Sequence, residues 1–308
     1  MIPLGEGSEI IDGCAMRAVT YFIRVFSVKR KMELVSVFLL FLVAVFLLLV
    51  PSKAYADNHT WQADVEEDWN VAVNWDPAQV PVAGDGVVFN GVHTGDCVIN
   101  VNTEALAWFD TTGYTGEIIQ SGGNITTAGD FNVYGGTLTT TNGKTITVGT
   151  GWGNFRVGKA DSGVVSVDLS AAGSIDVQTG DFILYQDADD TATVIFGSQT
   201  VSINGNMIID GTDVNSTGGT VNAGSSTIEA NSHWYSKRST ADFNAGTSTV
   251  KSTVSGANVA YWSTKSSNPF NDLQKTTTGK LYMESDIEVD GNFSVDSGTF
   301  DQTWSDQR

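Results

Sequence analysis

Cysteine, proline, basic charge and helix-forming runs are all scarce in this chain, and each scarcity removes a class of protein. Of two cysteines, Cys14 lies in the first fifty-six residues, which read as a leader, so Cys97 alone stays with the body. A disulfide within that body is excluded, and three histidines beside one thiol are too few for a transition-metal site. Of five prolines, only Pro269 follows Pro81. Removing six basic and four acidic leader residues from totals of 16 and 35 leaves 10 and 31, a formal charge of −21. Such a field disfavours nucleic acid and anionic lipid as partners, neither of which is expected, and it would tolerate or attract divalent cations. After Ala56 no window keeps a helical period, and Glu, Lys, Leu and Ala are sparse. What remains is Gly, Ser, Thr, Asn, Asp and Val.

The one long apolar run is residues 35–50, interrupted only by Ser36. It follows Lys29, Arg30 and Lys31 and leads into Pro51, Ser52, Lys53, Ala54, Tyr55 and Ala56. A basic start, a short apolar centre and a small-x-small end are the pattern of a secretory signal peptide. A membrane-spanning helix wants about 20 apolar residues, more than this run offers. The expectation is cleavage after Ala56 and a secreted or cell-surface product with no membrane association afterwards. Met16 or Met32 is an alternative start.

Beyond Ala56, short apolar runs such as Phe131-Asn132-Val133, Val164-Val165-Ser166-Val167 and Met207-Ile208-Ile209 are bounded by Gly, Asn or Asp, the pattern of strands between turns. The body is expected to be all-β, and its repeats decide which all-β fold. One unit is Gly-(Asp/Asn)-(Phe/Met)-x-(Val/Leu/Ile). It starts at Gly129, Gly180, Gly205 and Gly291, and residues 125–138 align with residues 287–300 over a longer stretch. A second unit, residues 221–228 (VNAGSSTI), returns 22 residues later as residues 243–250 (FNAGTSTV), and two copies of the first unit are 25 apart. A β-sandwich array would repeat at about 100 residues. Offsets of 22–25 with several short strands per period instead predict a right-handed parallel β-helix, or β-solenoid. Alternate apolar residues would point inward, Gly would turn the corners, and Ser, Thr and Asn would form ladders along the axis. About nine coils stacked at about 4.8 Å would make a rod roughly 40 Å long. The organisation expected is a leader and signal peptide over 1–56, a Trp-rich N-terminal cap over 57–94 and the β-helix over 95–308.

Residues 69–89 (WNVAVNWDPAQVPVAGDGVVF) resemble the entry segment of large secreted bacterial β-helix, adhesin-like proteins, through Trp69, Asn74, Trp75, Pro81, Gly84, Asp85, Val87 and Phe89. Residues 245–301 resemble their repeats. The resemblance implies an exported cell-surface structural or adhesive module, continuing into further repeats beyond Arg308, with extracellular glycans or surface proteins as partners. Its motifs are structural punctuation and say little about activity.

The candidate sites are few. Trp61, Trp69 and Trp75 would either stack on sugars or form a lid over the first coil, and a solenoid needs the lid. Trp108, Trp152, Trp234 and Trp262 fall in the solenoid, and Trp152, Trp234 and Trp262 are the ligand-binding candidates on a lateral face. Asp187, Asp189 and Asp190 cluster after a strand, and calcium takes 6–8 oxygen ligands, so calcium is the one cofactor to consider. A polysaccharide lyase or glycoside hydrolase on the same scaffold is the alternative function, since a lyase needs a basic residue as its base. The only basic cluster, His233, Lys237 and Arg238, would serve in such an enzyme with Tyr235, although a corner insertion is the plainer reading. Catalysis is not expected. Cys97 reads as a buried thiol, and the sequons at Asn58, Asn124, Asn215 and Asn292 arise readily in so Ser/Thr/Asn-rich a chain.

Overall fold

In the computed structural model the described residues are 56–302, apart from 142, 160–162, 187–189, 210–217 and 238–239. The signal-peptide run, Arg238, Asp187, Asp189 and the Asn215 sequon lie outside them. The rest is almost entirely short strands. A representative coil runs through Phe131–Val133, Thr137–Thr140 and Thr145–Val148, and the next strand, Phe155–Val157, stacks in parallel on the first. Repetition builds three sheets, of twelve, eight and eight strands, called here the first, second and third. The result is an all-β parallel β-solenoid of about eight turns, one fewer than the length suggested.

Alternation explains why these residues form these strands. Thr137–Thr140, Thr145–Val148 and Ser174–Val177 each bury every second side chain. In-register pairing then aligns the buried positions into columns. The first sheet's column runs from Val87 through Phe109, Phe131, Phe155 and Phe182 to Met207, Trp234 and Trp262. Successive phenylalanine rings lie 4.5 to 5.0 Å apart between Phe109 and Phe182, close enough for attractive ring contacts. The third sheet answers with slimmer residues: Ile125, Ile146, Ile175, Val201, Ile228 and Val250. Cys97 begins the second sheet's column and is fully buried.

One expectation needs correction, and one placement was not expected either way. Stacked partners lie between 19 residues apart (Leu281 and Phe300) and 30 (Glu67 and Cys97), a wider range than 22–25. Strands keep register while corners absorb the difference. The repeat at Gly291 also sits on a different face. Phe131, Phe182 and Met207 belong to the first sheet, whereas Phe293 pairs with Leu273 in the third. The motif therefore encodes a corner and the strand after it, whichever sheet that strand joins. At Gly180, Gly205 and Gly291 alike, an added Cβ would fall 2.4 to 2.6 Å from an Asn or Asp side chain of the coil below. By contrast, the second unit stacks as its spacing implies, with Val221 on Phe243 and Ile228 on Val250.

At the N-terminal end, Asn58–Trp61 pairs in parallel with Gly86–Val88, and Trp75–Asp76 closes its other edge in antiparallel register. Trp61, Trp69 and Trp75 are buried at 0–2 % exposure, and Trp75 packs edge-on against both others at 5.1 and 4.7 Å. Two of the indole N–H groups are spent on backbone: Trp61 donates to Gly95 O and Trp75 to Trp69 O. These rings fill the first coil and offer no face to a sugar. Beside them, buried His59 meets Asp85 at 3.0 Å, and Asp85 also accepts the N–H groups of Asp57 and Val82.

Candidate functional site

The outer face of the first sheet carries the most chemistry, arranged as a ladder along the axis of the kind expected from in-register Asn, and extended here through Asp and His. From Asp130 to His233, the residues one place before the buried column point outward. The side chain of each accepts the backbone N–H of its counterpart in the next coil. Asp130 Oδ1 accepts from Asn154, Asn154 Oδ1 from Asp181, Asp181 Oδ1 from Asn206 and Asn206 Oδ1 from His233, all at 2.7 to 3.0 Å. His233 Nδ1 then accepts from Tyr261 at 2.9 Å. A strand start has an N–H that the sheet itself leaves open, and a short acceptor side chain satisfies it locally. The signal in the sequence is the Asp/Asn of the Gly-(Asp/Asn)-(Phe/Met) repeat, a corner acceptor whose donor proves to lie one coil on.

The ladder decides what the basic cluster can do. With Nδ1 accepting, the neutral His233 ring carries its proton on Nε2, so it cannot take a proton without releasing Tyr261. Its ring stacks on Tyr261 at 5.4 Å and on Tyr235 at 5.7 Å, and Tyr261 stacks on Tyr282 at 5.6 Å. Burial first, then the charges of Glu284 and Asp181, push the Tyr235 phenol above its usual value, which suits a donor and not a base. His233 adjoins a strand, Trp234–Ser236, rather than an insertion loop, and Lys237 lies exposed just beyond it. Thus His233 and Tyr235 are held as structural rings, and Arg238 lies outside the described residues.

Of the three tryptophan candidates, two are corrected. Trp234 and Trp262 are wholly buried, stacked in register at 5.5 Å inside the solenoid, and Trp234 donates to Ser236 Oγ at 3.0 Å. Alternation places them inward, where no ligand reaches. Trp108 is half-buried, and a Cβ on Gly86 would meet its ring at 2.4 Å, so the indole lies flat over Gly86. Trp152, in the corner between the third and first sheets, is 76 % exposed.

The other faces are ranks of hydroxyls. Thr145, Ser174, Thr200, Thr227 and Thr249 align outward on the third sheet, with Thr145 and Ser174 bonded at 3.2 Å. Thr137, Ser166, Thr193 and Thr220 do the same on the second. Asp190, the described member of the acidic trio, accepts the Gly163 N–H at 2.6 Å. Among the described residues no three His, Cys, Asp or Glu side chains gather as metal ligands. Burial first, then Asp68, drives the Cys97 thiol well up, making it an inert filler. Among the described residues no helix is long and apolar enough to cross a membrane.

No family model, no curated protein and no solved structure matches the chain.

Proposed function

We propose that this protein is an exported, cell-surface structural or adhesive β-helix module that works without catalysis and binds glycans or proteins along a lateral face. The observation that supports it is the Asp130-to-Tyr261 ladder. Side chains that a lyase or hydrolase would turn toward substrate are spent here on joining one coil to the next. Fold alone carries no chemistry, and a flat wall of ladders suits display better than turnover. Export rests on the leader pattern before Ala56, and the formal charge of −19 for the whole chain favours an extended, soluble display surface.

The test is a turnover and attachment screen of the full chain on acidic and neutral polysaccharides, with and without calcium. Attachment without products is the expected result. Unsaturated or reducing-end products that vanish in Lys237→Ala would overturn the reading and make this a polysaccharide lyase.

A further inference from the structure

The corner at residues 149–154 reads Gly-Thr-Gly-Trp-Gly-Asn, and it is longer than its neighbours above. Six residues separate Val148 from Phe155, four separate Val177 from Phe182, and three separate Ile203 from Met207. The extra length is not slack. The N–H of Thr150 donates to Thr127 O at 3.1 Å, and those of Gly151 and Trp152 both donate to Ala128 O at 3.0 and 2.9 Å. From the coil above, Thr179 Oγ1 donates to Gly149 O at 2.8 Å. Gly149 has φ +73°, and a Cβ on Gly153 would fall 2.2 Å from the backbone of Gly129. Both positions therefore require glycine. Glycines at 149, 151 and 153 leave no side chain to shade the indole. The protein buries Trp61, Trp69, Trp75, Trp234 and Trp262 to 2 % or less, yet presents Trp152 at 76 % from a pinned turn.

Directly above this corner begins a column of amides. Gln178, Asn204 and Asn231 each take the first position after a third-sheet strand, the place Gly149 holds in the Trp152 coil. Asn204 Nδ2 donates to the Gln178 backbone O at 2.8 Å and Asn231 Nδ2 to Asn204 Oδ1 at 2.7 Å, which fixes those two amides relative to one another, while Gln178 Nε2 donates to Asp176 Oδ2 at 2.9 Å. Coils rise by about 4.8 Å, close to the length of one sugar unit in an extended chain.

We propose that Trp152 and the amide column of Gln178, Asn204 and Asn231 form a binding site for a neutral glycan chain running along the solenoid axis. The inference rests on the reading of the protein as a passive binding module and names its site and ligand class. The bare indole meets the C–H face of a pyranose, and the amides meet its hydroxyls, each offering donor and acceptor. Preorganisation in the pinned corner lowers the cost of binding. A protein partner would call for an anchor ringed by apolar contacts, whereas here the ring is flanked by glycines and followed by amides. The chain's charge of −19 disfavours polyanionic glycans.

The test titrates the full chain with cellohexaose, xylohexaose, mannohexaose and chitohexaose, with hexagalacturonate as the anionic control. Calorimetry gives affinity, and acrylamide quenching of tryptophan emission gives exposure. At least one neutral hexasaccharide is expected to bind and shield the quenchable emission. Trp152→Ala should lose at least ten-fold in affinity and Asn204→Ala about three-fold, both with unchanged circular dichroism and melting temperature. Affinity that survives Trp152→Ala, or the absence of binding by every neutral hexasaccharide, overturns the site. Attachment to cells without hexasaccharide binding overturns the site and leaves the module reading standing. Product release, measured separately, strikes only that reading.

Discussion

Tyr114 and Lys275 are ionisable groups held in the solenoid interior, and burial gives them opposite pH dependences. The Tyr114 hydroxyl donates to Gly95 O at 2.6 Å, and desolvation, reinforced by Cys97, Asp96 and Glu117, raises the phenol far above the ordinary 10.0. An unfolded tyrosine loses its proton at about pH 10 while the folded one keeps it. The native state then binds more protons, and stability falls as pH climbs past 10. Tyr114→Phe removes that fall, and Gly95 O still receives the Trp61 indole N–H at 2.9 Å. Guanidinium melts at pH 9 and 11 should therefore show a smaller alkaline loss in the variant, and an equal loss would refute the assignment. Lys275 points inward in register with Ser252, is 0 % exposed, and donates to Val254 O, Thr277 O and Thr277 Oγ1. Desolvation lowers its pKa from 10.5. Between that lowered value and 10.5 the unfolded lysine holds a proton that the folded one has shed, so stability rises with pH through this window. Lys275→Met should flatten the rise and be as stable or more stable near neutrality. A strongly destabilised Lys275→Met would show that the three hydrogen bonds matter more than the burial of the charge.

Among the strands, the test case is the acceptor ladder. Asn154 receives nothing from burial beyond its role, yet its Oδ1 satisfies the Asp181 N–H at 2.8 Å. Asn154→Leu leaves that N–H without its acceptor, which costs about 1–3 kcal/mol. Asn154→Asp keeps the acceptor but inserts a carboxylate between Asp130 and Asp181. It should therefore cost less than Leu, and its deficit should shrink with added salt. Thermal melts of both variants at low and high salt check this, and an Asp variant indifferent to salt would count against like-charge repulsion. The ladder also shows where sequence reading stopped. The strands were legible because inward and outward residues alternate, and the 22-residue unit at Val221 and Phe243 was legible because its corners are equal in length. The destination of the Gly291 copy was not legible, since a corner-plus-strand motif carries no mark of which sheet it enters. Trp152 was grouped with Trp234 and Trp262, although the glycines on either side of it mark a corner while the other two sit in strand-like runs. The register, set by corner lengths, sends two of them inward and leaves the third on a turn. His233 looked available because a histidine's tautomer is fixed by a partner one coil away.

At the scale of the described coils, one continuous apolar interior is built up coil by coil, so stability follows from stacking. Each strand pairs with the strands one coil above and below it, so the fold is close to one-dimensional, with nearest-neighbour interfaces carrying the cooperativity. Val221 stacks on Phe243 and Ile228 on Val250, which makes the stretch from 221 to 242 one coil bounded by equivalent positions. Removing residues 221–242 splices like onto like in the second sheet. In the first sheet it takes out Trp234 and brings Met207 against Trp262, two residues that already share its inward column. The shortened chain should keep parallel-β circular dichroism and a single cooperative melt. Its midpoint should be lower, because one interface is lost and the Met207–Trp262 contact is not optimised. A deletion of half a coil, residues 221–231, would instead run Thr220 of the second sheet straight into Ser232, ahead of the first-sheet strand Trp234–Ser236, and leave that coil without a third-sheet strand. It should fail to fold. If both deletions melt alike, or if the in-register one loses its cooperative transition, the interfaces are not the independent units that the ladder of coils implies.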